Sequence, residues 1–114
     1  MAYKKLKISD MEKFYTDVEP VQVDFNGVNL LISKYLTIKD KMEFVKTVFD
    51  LCVIDGVYFP ELFDFAIKCA TYGHYTNITV PDGLKKANNL AYSSDLYDVI
   101  VKNINKDEYE ALIN

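Results

Sequence analysis

The sequence contains no arginine, and all thirteen of its basic residues are lysine. Lysine cannot reproduce the planar guanidinium fork that binds guanine, carboxylate and phosphate groups through two parallel hydrogen bonds. The formal net charge is -4 and the pI is about 4.9, which is opposite to the charge of most phosphate-binding surfaces. Both properties count against a nucleic-acid partner. The short basic cluster of Lys4, Lys5 and Lys7 is interpreted as a solvated tail.

Metal ligands and reactive side chains are scarce as well. There is one histidine, His74, and the two cysteines, Cys52 and Cys69, lie in separate apolar runs. A structural zinc site needs four convergent ligands, so no metal is predicted. Both thiols are interpreted as small buried hydrophobic groups in a reducing compartment. A nucleophilic dyad of Cys69 with His74 is the alternative, but Gly73 intervenes and the spacing departs from one helical face, which favours an inert thiol.

We also find no pattern in the sequence that predicts a glycine-rich loop, a leader segment or a long apolar run. The four glycines are scattered, so we predict no phosphate-binding loop and no cofactor. No apolar stretch reaches the roughly 18 residues that span a bilayer, and we expect a cytosolic protein without a membrane partner. With 114 residues, half of them apolar, the chain is expected to form one domain over 1–114, with 1–8 as a flexible tail.

The strongest local pattern predicts a β-hairpin over about residues 21–33. Apolar and polar residues alternate on both sides of Asn26-Gly27, a pair that favours a type I′ turn because both positions tolerate positive φ. Counting outward from this turn places six apolar side chains on one face. The predicted pairs are Phe25 with Val28, Val23 with Leu30, and Val21 with Ile32. A lone hairpin is marginal in water, so this face should pack on helices.

Two helices are predicted around this hairpin. Ser9 followed by Glu12 has the form of a capping box, which predicts a short helix over 10–17. After the hairpin, Thr37 is a favourable N-cap for a helix over about 38–53 that stops near Asp55-Gly56. The apolar stripe predicted for this second helix consists of Ile38, Met42, Val45, Val48, Phe49 and Cys52.

The second half of the chain is predicted to be helical, with one extended segment. Pro60 opens a helix over 61–72 that is apolar nearly all round, which predicts a buried central helix closed by Gly73. Residues 76–80 are β-branched and are expected to form a third strand or an extended crossing. Further helices are predicted around 84–91, after a cap at Ser93 or Ser94, and after Asn105 with Glu108. The predicted fold class is therefore α+β and mainly helical, with one N-terminal hairpin packed on four to six helices.

Aromatic residues are abundant, with nine tyrosines and seven phenylalanines. Tyrosines beyond the needs of a core are typical of partner surfaces, and the codon bias of an AT-rich genome is the alternative explanation. The most unusual cluster is Tyr72, His74 and Tyr75 at the end of the central helix, which is the candidate interaction surface. Packing of these rings against the core is the favoured interpretation of the same cluster.

Carboxylate pairs occur on predicted helix faces, for example Asp95 with Asp98 and Asp107 with Glu110. General acid–base catalysis needs two carboxyl groups in a cleft, with pKa values pushed apart by their surroundings. Nothing in the sequence indicates such a cleft. We therefore predict no catalytic residues and no enzymatic activity.

Several stretches resemble a loosely defined family of small proteins encoded by phages and prophages of low-GC Gram-positive bacteria. The first stretch is the hairpin running into its helix, residues 21–41, the second is 75–78, and the third is 96–100 with 107–113. The family is uncharacterised and supplies no catalytic residues to carry over. A hairpin that leads into a helix is also similar in architecture to phage tail assembly chaperones, which are small acidic helical proteins that bind the tape-measure or tail-tube protein.

The resemblance implies a non-enzymatic phage protein that acts through protein–protein contacts, in virion or tail assembly or as a minor structural component. Its partner would be a phage structural protein or a host factor. Its location would be the host cytoplasm or, after incorporation, the virion. The alternative is a small inhibitor of a host defence system, similar to an anti-CRISPR that mimics nucleic acid. The modest charge of -4 and the interspersed lysines favour the assembly role.

Overall fold

The computed structural model describes residues 5, 7–11, 19–80 and 83–113. Its first element is a single helical turn, α1 (Ile8–Met11). Ser9 lies inside this turn, not ahead of it, where the predicted capping box would place it. Most of the helix predicted over 10–17 lies outside the described residues.

The predicted N-terminal hairpin is confirmed. Strands β1 (Val21–Phe25) and β2 (Val28–Ile32) pair antiparallel in the predicted register. Asn26 and Gly27 have positive φ values of 50° and 87°, as a type I′ turn requires. Leu30 and Ile32 are buried, and Val23 and Phe25 pack partly buried against the core, so most of the predicted apolar face lies on the helices. Val28, next to the turn, is the exception, because 58% of it is exposed.

Helix α2 (Ile38–Leu51) starts at the predicted cap. The Thr37 side-chain oxygen accepts a hydrogen bond from the Asp40 backbone N–H at 3.2 Å and so satisfies one of the free donors of the first turn. The helix ends slightly before the predicted boundary at residue 53. It ends there because the chain turns at once into a second pair of strands.

This second, very short hairpin is absent from the predicted fold. Strands β3 (Val53–Ile54) and β4 (Val57–Tyr58) pair antiparallel around Asp55 and Gly56. Both turn residues have positive φ, 52° and 78°, and so repeat the conformation of the first turn. Asp-Gly favours this turn as Asn-Gly does, but strands of two residues are too short to give an alternating pattern.

The predicted central helix is confirmed and is longer than expected. A 3-10 turn (Pro60–Leu62) leads into α3 (Phe63–Tyr75), which is buried along most of its length. The prediction that Gly73 ends this helix is wrong. A glycine inside a helix costs about 1 kcal/mol, but here the following turn carries the fully buried ring of Tyr75, whose burial outweighs that cost.

Residues 76–80 form an extended crossing beside β2. Thr76 makes a single antiparallel bridge with Ile32, and the Asn77 side-chain oxygen accepts a hydrogen bond from Leu31 N–H at 3.2 Å. Beyond this bridge the segment forms no ladder. Of the two predicted alternatives, the extended crossing is therefore the one observed.

Three helices complete the chain: α4 (Leu84–Tyr92), α5 (Leu96–Val101) and α6 (Lys106–Ile113). Of the two hydrogen bonds of a capping box, the last helix has one: Asn105 Oδ1 accepts from Glu108 N–H at 2.9 Å. The Glu108 carboxylate does not complete the capping box. It accepts instead from a backbone N–H in the loop before α2.

One core cluster joins the N-terminal hairpin to the helices. Its fully buried members are Ile32, Phe44, Cys52, Ala66, Ala70, Tyr72, Tyr75 and Ile100. The fold is α+β and mainly helical, with the hairpin packed on the helices, as predicted. Within the described part of the chain, no helix combines the length and the apolar character needed to cross a bilayer.

Candidate functional site

Helix α2 carries apolar side chains on two different faces. Phe44 and Val48 point into the core, and Phe44 has no contact with solvent. Cys52, directly after the helix, continues this face and is also fully buried. Residues four apart lie on the same side of an α-helix, so these three positions define the side of α2 that packs on α3.

The second face points into solvent. It is called the α2 stripe here and consists of Ile38, Met42, Val45 and Phe49. The exposed fractions of these four residues are 76%, 68%, 53% and 57%. The sequence predicts that they share one stripe with Val48 and Cys52, and the structure corrects this, because the latter two are in the core. Phe44, which is absent from the predicted stripe, has the largest buried ring on α2 and determines which side faces inward.

Apolar exposure continues from the α2 stripe onto the second hairpin. The rings of Phe49 and Tyr58 are stacked, with centroids 6.0 Å apart and planes inclined by 20°. Further large apolar side chains that are exposed nearby in the sequence are Ile54, Val57, Phe59 and Phe63. Contiguous apolar patches are uncommon on monomeric proteins and are typical of binding surfaces.

The α2 stripe borders an open groove. Met42, Val45 and Phe49 line it on the α2 side, and Leu112 of α6 lines it from the other side. The groove has a volume of about 570 Å³. A smaller hollow of about 190 Å³ is lined by Phe49, Tyr58 and Leu112 and, from α3, by Phe63 and Ile67. The surface is therefore concave and apolar, and its walls come from three helices and one strand.

Lysines stand on both sides of the α2 stripe. Lys39 and Lys46 are exposed on one side. On the other side, Lys41 lies at the groove, and its Nζ is 3.2 Å from a carboxylate oxygen of Glu108. The same carboxylate accepts from Leu36 N–H at 3.0 Å, so Glu108 fastens α6 to the start of α2. Among the described residues, the rim of this apolar face is basic.

The predicted interaction surface at the end of α3 is not formed. Tyr72 and Tyr75 are both completely buried, and only His74 reaches solvent in part. Packing, the favoured interpretation of this cluster, describes the two tyrosines. His74 lies edge-on to Phe44, and its Nε2 is 2.9 Å from Thr47 Oγ1. The cluster therefore connects α3 to α2 inside the molecule.

The buried tyrosines belong to a hydrogen-bonded network. Thr71 Oγ1 donates to Ile67 O at 2.7 Å, so with its only proton used it accepts from Tyr109 OH, also at 2.7 Å. Tyr109 OH in turn accepts from Tyr97 OH at 2.6 Å. Burial raises the pKa of Tyr109, and of Tyr75, whose hydroxyl has no partner among the described residues. These rings stabilise the core.

Cys69 and His74 do reach one common hollow, of about 530 Å³, which Thr47 and Val80 also line. Burial raises the pKa of the Cys69 thiol, which disfavours the nucleophilic thiolate. The imidazole is engaged with Thr47, and no carboxylate of the described residues lines the hollow. The two side chains share a cavity, but nothing described there activates the thiol.

The predicted carboxylate pairs lie on the surface. Asp95, Asp98, Asp107 and Glu110 are all exposed. Glu110 forms an ion pair with Lys106 on the same helix, at 3.9 Å. In the described part of the chain, no group of three or more His, Cys, Asp or Glu side chains is placed to hold a metal ion.

A further hollow of about 730 Å³ lies between the second hairpin and α4. Apolar side chains of Leu51, Val53, Ile54, Leu62 and Phe65 line it together with the polar side chains of Asp50, Glu61, Lys85 and Asn88. Tyr92 lines it as well, and its hydroxyl donates to Asp64 at 2.7 Å. The Nζ of Lys68 lies 4.3 Å from the centre of the same ring. Tyr92, Asp64 and Lys68 therefore interact with one another, and none of the three directs an unpaired polar group into the hollow for a ligand.

Comparison of the chain with models of protein families, with curated proteins and with solved structures finds no match in any of the three. The candidate site is therefore defined by geometry alone. Sequence patterns found the members of the α2 stripe but not their exposure. The available signal was the second apolar series on the same helix, Phe44 with Val48 and Cys52, which competes with the stripe for the core.

Proposed function

We propose that this protein is non-enzymatic and acts by binding another protein through the α2 stripe. The observation that carries the proposal is the exposure of four large apolar side chains in one row, on a helix whose neighbouring side, with Phe44 and Val48, is fixed in the core. Burying such surface contributes about 25 cal/mol per Å². A partner that covers the stripe gains this term without rearranging the helix.

The environments of the reactive side chains support a non-enzymatic role. The Cys69 thiol has a raised pKa, and His74 is engaged with Thr47. Nucleophilic catalysis needs the opposite arrangement, a thiol with a lowered pKa beside a free base. The predicted carboxylate pairs, Asp95 with Asp98 and Asp107 with Glu110, are exposed and line none of the four hollows described above, whereas general acid–base catalysis needs two carboxyl groups in a cleft.

The biological role that we propose is assembly of a phage virion or tail, or a minor structural component of the particle. The support for this role is the sequence resemblance, together with a helix face that is available for a partner. The alternative, inhibition of a host defence system by mimicry of nucleic acid, requires a continuous acidic face. Ion pairs such as Lys68 with Asp64 at 3.7 Å place lysines among the acids and favour the assembly role.

The test is affinity capture from phage-infected cells with three forms of the full-length chain. These are the wild type, the double variant Met42→Glu/Val45→Glu in the α2 stripe, and the control Thr79→Glu/Asn88→Glu, which adds the same charge at exposed positions elsewhere. Circular dichroism verifies that all three are folded.

We expect one protein to be recovered with the wild type and the control, and to fall at least about tenfold with the stripe variant. Identification of that protein as a virion component supports the assembly role, whereas a host nuclease supports inhibition. Equal recovery by all three forms would contradict a binding function of the stripe.

A further inference from the structure

The α2 stripe has the spacing of a coiled-coil seam. From Ile38 to Phe49, its members are separated by four, three and four residues. This is the order d, a, d, a of a heptad, the positions whose side chains pack into the holes of a facing helix. A helix with the same apolar repeat could therefore lie along α2 and fill the groove beside Leu112.

Lysines occupy three of the four e and g positions that flank this seam, and the fourth, the second g position, is Val48, which is buried in the core. Lys39 and Lys46 occupy the two e positions, and Lys41 occupies the first g position. Lys39 and Lys46 are exposed, and Lys41 pairs with Glu108. The acids of the same helix face, Glu43 and Asp50, stand at b positions. They are one step farther from the seam, so a partner helix meets the lysines first.

This charge pattern decides between two occupants of the seam. In a parallel pair of helices e faces g, and in an antiparallel pair e faces e. Two copies of α2 would therefore bring Lys39 or Lys46 close to another lysine in either orientation. Like charges at such positions destabilise the pair, whereas Glu or Asp on the facing helix would stabilise it.

We propose that the partner presents an amphipathic helix with an apolar a/d seam and Glu or Asp at its e and g positions. The helix packs along the α2 stripe, and its acidic edges lie beside Lys39 and Lys46. This inference rests on the proposed function, because it names the chemistry of the partner that the stripe binds. It excludes a second copy of the chain as the occupant.

Two synthetic peptides of about three heptads test the charge rule. Both have leucine at the a and d positions, and they differ only in carrying glutamate or lysine at e and g. Their affinity for the full-length protein is measured by isothermal titration calorimetry. The glutamate peptide should bind about tenfold more tightly than the lysine peptide, and the difference should shrink at about 1 M salt.

The charge-reversed protein Lys39→Glu/Lys46→Glu should prefer the lysine peptide. Its matched control is Lys85→Glu/Lys102→Glu, two exposed lysines in α4 and directly after α5, which should keep the wild-type preference. Equal binding of both peptides, no binding of either, or an unchanged preference after charge reversal would overturn the inference. Dimerisation of the wild type that Met42→Glu/Val45→Glu abolishes would overturn it as well.

The two proposals fail in different ways. One outcome is that capture depends on the α2 stripe while charge reversal at Lys39 and Lys46 changes neither capture nor peptide preference. That result would support the binding function and contradict the proposal of an acidic partner helix. If capture does not depend on Met42 and Val45, the binding function itself falls. The glutamate peptide then identifies no physiological partner, whatever its affinity.

Discussion

Phe44 and Val45 are neighbours on α2, yet Phe44 is fully buried whereas 53% of Val45 is exposed. The helix turns by about 100° between consecutive residues, so two apolar side chains in a row can belong to opposite environments. Here the boundary between the core and the α2 stripe runs between them. The stability of the protein should therefore depend on one of these residues and its binding on the other.

The first prediction compares Phe44→Ala with Val45→Ala. Removing a buried ring leaves a cavity, and we expect Phe44→Ala to lower the free energy of unfolding by about 3–5 kcal/mol. Val45→Ala removes atoms that are already half in water, so its effect should stay near 0.5 kcal/mol. Urea unfolding followed by circular dichroism measures both. Losses of similar size would mean that Val45 is buried in solution.

The second prediction concerns Glu108, whose side chain is only 8% exposed. Glu108→Ala leaves the Leu36 N–H without its acceptor and should cost about 1–3 kcal/mol in unfolding free energy. The control is Glu110→Ala on the same helix. Its carboxylate is about half exposed and 3.9 Å from Lys106, so the cost should stay below about 1 kcal/mol. A small loss in Glu108→Ala would contradict its role in holding α6 to α2.

The third prediction uses two glycines for which alanine should have opposite effects. Gly27 has a φ of 87°, a conformation that strains a residue with a Cβ atom, so Gly27→Ala should lower thermal stability by about 1 kcal/mol. Gly73 lies inside α3, where a Cβ would meet only Val80 Cγ2 at 3.9 Å. Gly73→Ala should therefore stabilise the protein by up to about 1 kcal/mol. If Gly73→Ala destabilises it, α3 ends earlier than described.

The fourth prediction is a loss of stability in alkali. Burial raises the pKa of Tyr72 to about 12, and the pKa values of Tyr75 and Tyr109 are raised as well. An unfolded tyrosine titrates near 10, so above that pH the unfolded chain binds fewer protons than the native one. The contribution of these protonated, buried tyrosines to the free energy of unfolding is complete below about pH 10 and is lost as the pH rises towards 12.

Urea unfolding at a series of pH values measures this dependence. Tyr72→Phe should reduce the slope above about pH 10 by up to roughly 1.4 kcal/mol per pH unit. The control is Tyr58→Phe, which removes the hydroxyl group of a half-exposed ring. A wild-type stability that stays constant from about pH 10 to 12 would contradict the burial of these hydroxyl groups.

Local patterns were sufficient for the first hairpin and for the N-cap of α2. The turn at Asn26-Gly27 and the cap at Thr37 depend on residues only a few positions apart, and both were predictable for that reason. The turn at Asp55-Gly56 obeys the same rule. It was missed because its strands contain two residues each and the preceding helix pattern extends to within a residue or two of it.

Long-range packing explains the errors at the candidate site. Periodicity assigns apolar residues to one helix face but does not choose between two apolar faces of the same helix. On α2 that choice is made by Phe44, which packs edge-on against Tyr75 and Tyr109 from distant parts of the chain. The same contacts bury Tyr75 and Tyr109. The number of tyrosines in the sequence had favoured a place for some of them on a partner surface. Only the assembled core separates the α2 stripe from the interior.

The most direct test of the binding function is hydrogen exchange of the full-length chain with and without the protein that it captures. The account predicts that binding slows amide exchange in α2 (Ile38–Leu51) and in β4 (Val57–Tyr58), which flanks it, while α4 (Leu84–Tyr92) exchanges as before. Protection that appears in α4 or around His74 and leaves α2 unchanged would contradict it.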